Sequence, residues 1–240
     1  MIISEIGLNH LGNFYQAKSM VKKLVATNVE GITLQIREND YYLNKQHFRL
    51  SDDEYIEIVN YVKQHNKCIG IAIADESKID FLESIGIDFY KVIRNDITND
   101  SLLKKLISTN KKIIVSTGLS SDEDIQNFIN KFGTNNITLN HTQLSYSIKD
   151  CNLSAIEKMR KRYNCKISFG SHCHNYNVLY MSLCYNPSDI LFYVKGSGTL
   201  RYPDDKHAIP LKMVHGVINN LINLQEAIGS GSKEKMEIKI

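Results

Sequence analysis

The chain has 240 residues, 42% of them hydrophobic and 23% charged, with a formal net charge of +3; these values exclude a disordered or fibrous chain. The small charge surplus is spread beside acids with no basic tract and interleaved aromatics, which excludes nucleic acid as a leading partner. No apolar run approaches the ~20 residues of a membrane span, the start MIISEIG lacks a secretory pattern, and five irregularly spaced cysteines without a C-x-x-C suit reduced thiols, so a cytoplasmic protein with no membrane partner is the expectation.

In chain order, short β-branched runs alternate with amphipathic ones. The first strand, Ile2–Ile6, carries Glu5 inside an apolar run and is followed by Asn9, His10 and a helix, YQAKSMVKKLVATN, with Ala17, Met20, Val21, Leu24 and Val25 on one face. The second, Gly31–Gln35, ends in Gln35, with Arg37 and Glu38 behind it. SDDEYIEIVNYVKQH then opens with Ser51 and Glu54, a capping box. Strand three, Cys68–Ile73, leads to Asp75 and Glu76; strand four, Phe89–Ile93, carries Lys91 and leads to Arg94, Asn95 and Asp96. Strand five, Lys112–Ser116, gives Ser116 and Thr117 before a helix capped by Ser120 or Ser121 and ended by Gly133. Strand six, Ile137–Asn140, is followed by His141, Thr142, Gln143 and Tyr146, and then by the helical NLSAIEKMRKRYN. Strand seven, Lys166–Phe169, ends in GSHCHN with His172 and His174. Strand eight, Ile190–Val194, leads through Lys195 and GSGTLRYPDDKH to a last helix, and residues 229–240 read as a flexible tail.

Eight strands, each with a helix candidate after it, imply parallel pairing with right-handed crossovers. In a chain of this size that is a single (β/α)8 TIM barrel of the α/β class over residues 1–228. A doubly wound sheet would carry a glycine-rich first turn, which GLNHLGN does not match, and no nucleotide cofactor is expected. Barrel chemistry sits where strands end. The lysines, arginines and histidines gathered there favour a small anionic ligand, or a metal with one.

The single residues leave alternatives open. Glu5 is either a site carboxylate or half of a structural bridge, with Lys91 as the candidate partner. Lys91 either points into the mouth or snorkels outward. His172 and His174 share one side if strand seven continues through them, and could then hold a metal with His141; two metal-free rim histidines are the alternative. STGLSSDED and GSGTL either hold phosphate or are ordinary caps and loops.

EIGLNHLGN, with the strand ending in Gln35, resembles the opening of the sialic acid synthase family. IDFYKVIRND through KKIIVSTGLSSDEDI, then LNHTQLSYS, then NLSAIEKMRKRYNCKISFGSHC resemble its later blocks in the same order. The resemblance implies condensation of phosphoenolpyruvate with an N-acylated sugar, for surface carbohydrate biosynthesis, with a divalent metal of the Mn or Mg type held by two histidines. By position, Glu5, Gln35, Lys91, Ser116, Tyr146 and His172 match family site residues, and Asp96 stands where the family has a sugar-contacting glutamate. Thr33, Ala72, Arg94, Leu144 and Val194 depart from the pattern, and the family's further C-terminal antifreeze-like domain has no counterpart in this sequence.

The expected catalytic residues are therefore Glu5, Lys91, Asp96 and His172. The expected substrate contacts are Asn9, His10, Gln35, Arg37, Arg94, Ser116, Thr117, His141 and Tyr146, and the expected metal ligands are His172, His174 and His141. The partners are a sugar and an anionic co-substrate, and a homodimer is compatible with the pattern. A metal-dependent lyase, epimerase or isomerase, or a barrel that only binds a ligand or partner, are the alternatives.

Overall fold

A computed structural model of the chain describes residues 1–94, 96–196 and 200–233. Eight parallel strands close on themselves: β1 Ile2–Gly7, β2 Gly31–Ile36, β3 Cys68–Ile73, β4 Phe89–Val92, β5 Lys112–Ser116, β6 Ile137–Thr142, β7 Lys166–Ser171 and β8 Ile190–Lys195. Each pairs with the next, and β1 pairs with β8. The helices are α1 Phe14–Val25, α2 Asn39–Asn44, α3 Asp52–Gln64, α4 Ile79–Ser84, α5 Asp100–Ser108, α6 Asp122–Phe132, α7 Ala155–Tyr163, α8 Asn177–Ser182 and α9 Leu211–Ile228. The expected single TIM barrel is the fold. A two-residue strand, β9 Ile209–Pro210, pairs beside the end of β8, Val194 with Ile209 and Lys195 with Pro210.

Local rules build the outer layer. The α1 face named from the sequence is the face it buries. Ser51 and Glu54 form the capping box of α3, and Ser121 caps α6 in a box with Asp124, so this end of STGLSSDED is a capped connection. Gly133 ends α6 at φ 74°, a backbone state that favours glycine. No helix among the described residues is long and apolar enough to cross a membrane. Helix α9 ends at Ile228, and of the expected tail residues 234–240 lie outside the described residues.

Inside the barrel the side chains alternate in and out along each strand. Ile3, Phe89, Ile114 and Leu191 meet across the axis as one apolar plug. Gly70 makes room for it: a Cβ there would lie 2.3 Å from the Phe89 ring. Two residues further along β1, β4, β5 and β8 come Glu5, Lys91, Ser116 and Tyr193. The apolar floor thus hands over to polar chemistry within one side-chain period.

The main differences from the sequence reading are strand ends. Strands β6 and β7 each run two residues past the apolar stretch, to Thr142 and Ser171. A polar side chain does not stop a strand whose backbone stays in the ladder and whose side chain faces the barrel mouth.

Candidate active site

Lys91 Nζ lies 2.6 Å from each carboxylate oxygen of Glu5, and the two side chains are 4% and 2% exposed. Of the two alternatives for Glu5, the bridge to Lys91 is present, and the pair is buried beneath the mouth. Tyr193 completes this layer, with Lys91 Nζ 5.4 Å from its ring centroid. Burial, with the Glu5 and Asp204 carboxylates nearby, holds the Tyr193 hydroxyl well above its usual range.

Above the pair opens a cavity of about 280 Å³. Gln35, Arg37, Lys91, Arg94, Ser116 and His172 line it as expected from the sequence; Tyr41, Lys45, Tyr193 and Asp204 line it as well and were not foreseen. A larger depression of about 870 Å³ lies at the opposite end of the barrel, lined by Lys112, Arg160 and Lys166. Arg160 there donates to the Tyr185 and Asn186 carbonyls, and Lys112 is paired with Asp189. Arg160 and Lys112 are thus tied into the fold, and the candidate site is the mouth.

His172 stands at the wall of the cavity with Nδ1 2.9 Å from Thr142 Oγ1. Its ring lies 4.7 Å, centroid to centroid, from that of His207. His207 stacks on Tyr146 at 5.7 Å and meets the Tyr193 ring edge-on at 5.0 Å. Both ring nitrogens of His207 are buried without a hydrogen bond, and Nε2 is 3.8 Å from Asp204 Oδ1. Burial lowers His172 to about 3, helped by His207 and Lys91, and lowers His207 to about 4, helped by Lys91 and Lys195. Both imidazoles are therefore neutral at pH 7. Asp204 moves the other way: burial, then the neighbouring Glu5 carboxylate, raise it to about 7, against the pull of Lys91 and Asn9.

The expected metal trio does not come together. Strand β7 ends at Ser171, so His172 and His174 no longer share a strand face. His174 is exposed, with Nδ1 against the Tyr146 carbonyl, and His141 is turned outward, with Nε2 3.0 Å from the Cys151 carbonyl. Among the described residues no group of three or more His, Cys, Asp or Glu side chains is arranged to hold a metal. What fits a divalent ion is the pair His172 and His207: two neutral imidazoles, one with unpartnered buried nitrogens, leaving other positions to water or substrate. In the tautomer whose Nδ1–H donates to Thr142, His172 keeps the Nε2 lone pair free.

Several expected contacts serve the walls instead. Asn9 is fully buried; its Nδ2 donates to the Val194 carbonyl at 2.8 Å and its Oδ1 accepts from the Asp204 N–H at 3.2 Å. His10 accepts from the Gly12 N–H, and burial lowers it to about 4. Thr117 donates to the Asn140 carbonyl. Neither Asn9, His10, Thr117 nor His141 lines the cavity. Tyr146 also lies outside the lining, stacked on His207. Asp96 is half-buried beyond the lining, its carboxyl raised by burial and by Glu38. Asn95, and Ser197 to Thr199 of the GSGTL stretch, lie outside the described residues.

Three residues that matter had a signal in the sequence. Tyr193 follows the plug residue Leu191 by one side-chain period, and the charged RYPDDKH run holds both Asp204 and His207.

A closed parallel barrel, with its polar and titratable side chains gathered at the carboxyl ends of the strands, defines a (β/α)8 barrel whose candidate site lies at its mouth. The chain belongs to the NeuB family, which matches residues 13–233. It is 22% identical to the N,N'-diacetyllegionaminic acid synthase of Campylobacter jejuni, over 98% of this chain and 79% of that one. It is 25% identical to the N-acetylneuraminate-9-phosphate synthase of Drosophila melanogaster, over 71% of this chain and 53% of that one. Among solved structures it is similar to the sialic acid synthetase of Leptospira borgpetersenii in complex with citrate, with a TM-score of 0.90 and 22% identity, over 98% of this chain and 87% of that one. The named relatives are sugar-acid synthases.

Proposed function

We propose that this protein is a sugar-acid synthase that joins a small enol-phosphate donor of the phosphoenolpyruvate type to an N-acylated amino sugar. The observation that carries the reading is the buried Glu5–Lys91 pair at the cavity base, facing the neutral His172, in a NeuB-family barrel. The new carbon–carbon bond joins the donor's methylene carbon to the sugar's carbonyl carbon; water adds to the donor and inorganic phosphate leaves.

Lys91 is held by Glu5 in a fixed place, where its remaining N–H bond can meet a donor carboxylate or phosphate oxygen. Gln35 and Ser116 supply further hydrogen bonds from neighbouring walls. Asp204, with its carboxyl raised to about 7, is suited to exchange a proton near neutral pH. Leu8, Leu144 and Pro203 cover the sides and limit water. His172 and His207 are the residues that would hold a divalent ion. When bound, such an ion supplies Lewis-acid polarisation of the sugar carbonyl.

The test is turnover with phosphoenolpyruvate, an N-acetylhexosamine and Mn²⁺, read as phosphate release together with keto-acid formation. The reading expects both products in equal amount and their loss in Lys91→Met. No product, with no phosphoenolpyruvate binding by calorimetry, would overturn it.

A further inference from the structure

The five cysteines are free thiols, and two of them meet. Cys151 lies in the loop after β6, and Cys173 lies two residues beyond the end of β7. The Cys151 thiol hydrogen-bonds to the Cys173 sulfur. Cys173 is 3% exposed and belongs to the core, and the partly exposed Cys151 packs against that core.

The fold holds both in place. The Cys151 N–H donates to the Ile148 carbonyl at 3.2 Å, and the Cys151 carbonyl faces His141 Nε2 at 3.0 Å. The Cys173 N–H donates to Ser171 Oγ at 3.3 Å, and its sulfur accepts from the Asn175 N–H at 3.4 Å. The two loops are already stitched together: the His174 N–H donates to the Tyr146 carbonyl at 3.1 Å. Beneath them β6 and β7 run side by side, with Thr142 opposite Gly170. The meeting of the two sulfurs is therefore set by the ladder below it.

Neither sulfur lines the mouth cavity. Packing asks only for a small apolar side chain at each position and does not require sulfur to face sulfur. Burial, then the bonded Cys173, raise Cys151 to about 12, so it stands as a protonated thiol in the reduced protein.

We infer that Cys151 and Cys173 form a redox-modifiable dithiol, which a small disulfide of the glutathione type converts to an intramolecular disulfide tying the loops after β6 and β7 behind His172. Cys151, the more exposed sulfur, loses its proton and attacks one sulfur of the small disulfide; a mixed disulfide forms and one small thiol leaves. Cys173 then loses its proton and attacks the Cys151 sulfur; the protein disulfide forms and the second small thiol leaves. The two protons end on the two released thiols. The protein gives up two electrons and the small disulfide takes them. The bond closes a loop that contains α7 and β7. It needs no metal and does not rest on the synthase reading.

The test equilibrates the full chain in glutathione buffers of rising oxidised fraction, at a temperature where circular dichroism is native. A Cys184→Ser background removes an exposed cysteine that would itself take glutathione. Denaturing alkylation, peptide mapping and thermal melts follow. The expected product is a linked Cys151–Cys173 peptide, with a melting temperature that rises by several degrees on oxidation and returns with dithiothreitol. Adding Cys173→Ser should trap Cys151 as a mixed disulfide with glutathione, and adding Cys151→Ser should leave Cys173 unmodified. Both cysteines staying reduced in fully oxidised glutathione overturns the inference. So does glutathione held on Cys151 in a chain that keeps Cys173, which shows that the sulfurs do not reach each other. A linked peptide with a lowered melting temperature also overturns it, by showing that the bond forms against the fold.

Discussion

Lys91 Nζ is equidistant, at 2.6 Å, from the two carboxylate oxygens of Glu5, eighty-six positions earlier in the chain. This single contact ties β4 to β1 across the barrel interior. Breaking one side of it leaves a buried charge without a partner. Lys91→Met should cost roughly 3–5 kcal/mol of stability. Lys91→Met combined with Glu5→Gln should cost clearly less than Lys91→Met alone. Urea unfolding of the two single variants and the double variant measures the coupling; additive losses would show that the pair is not a unit.

The mouth carries opposing proton linkages. His172 and His207 have folded values of about 3 and about 4, below their ordinary 6.5. The unfolded chain therefore takes up protons first, and their contribution is full above pH 6.5 and lost as pH falls toward 4. Asp204 has a folded value of about 7 against an ordinary 3.8. Its contribution has the reverse sign: stability is lost as pH rises from about 4 to about 7. The two partly cancel in the wild type. In Asp204→Asn the stability curve should climb more steeply between pH 4 and 7, the gap to wild type widening by roughly 1–3 kcal/mol over that range. Parallel curves would show that Asp204 titrates normally.

Divalent-ion binding should depend on the two imidazoles that meet. His172→Ala and His207→Ala are each expected to weaken Mn²⁺ binding by about tenfold or more, since each would remove one of the two proposed nitrogen ligands. His174→Ala should bind as wild type does, because that ring faces the Tyr146 carbonyl. Electron paramagnetic resonance of free Mn²⁺ reads this without turnover. An effect of His174→Ala as large as that of His207→Ala would restore the expected trio.

The barrel floor has no spare room at Gly70. An alanine Cβ there would lie 2.3 Å from the Phe89 ring. Gly70→Ala should cost about 1–3 kcal/mol through overpacking, and Phe89→Leu in the same chain should recover part of it. Chemical denaturation of both variants checks the order.

The fold could be read from the sequence because each strand has a short run rich in apolar and β-branched residues and each is followed by a helical face, so the period changes cleanly. The floor pair was legible for the same reason: Glu5 and Lys91 are the charged residues inside otherwise apolar strands. His207 was harder. It belongs to no strand end, and it reaches His172 because the chain returns at Ile209 to pair with Val194, a two-residue match too short to leave a period. Asn9 and His10 misled through adjacency. Leu11 at φ 56° and Gly12 at φ 66° turn the chain back within a few residues, and both polar side chains bond to the turn and to the β8 loop. His174 misled because an ordinary strand period was extended past the last paired residue, Ser171.

Among the described residues, the chain returning after β8 is tied to the barrel by the β9 match to Val194 and Lys195, the Asn9 side chain, the Lys195–Asp205 contact and the rings around His207. Asp204 and His207 both hang on that seam, while the eight strands beneath share continuous ladders. Such a seam can part with a free energy far below that of the whole barrel. The loop that carries Asp204 and His207 is thus expected to open at a lower temperature than the scaffold. Gentle warming should silence the site while the barrel's circular dichroism stays native.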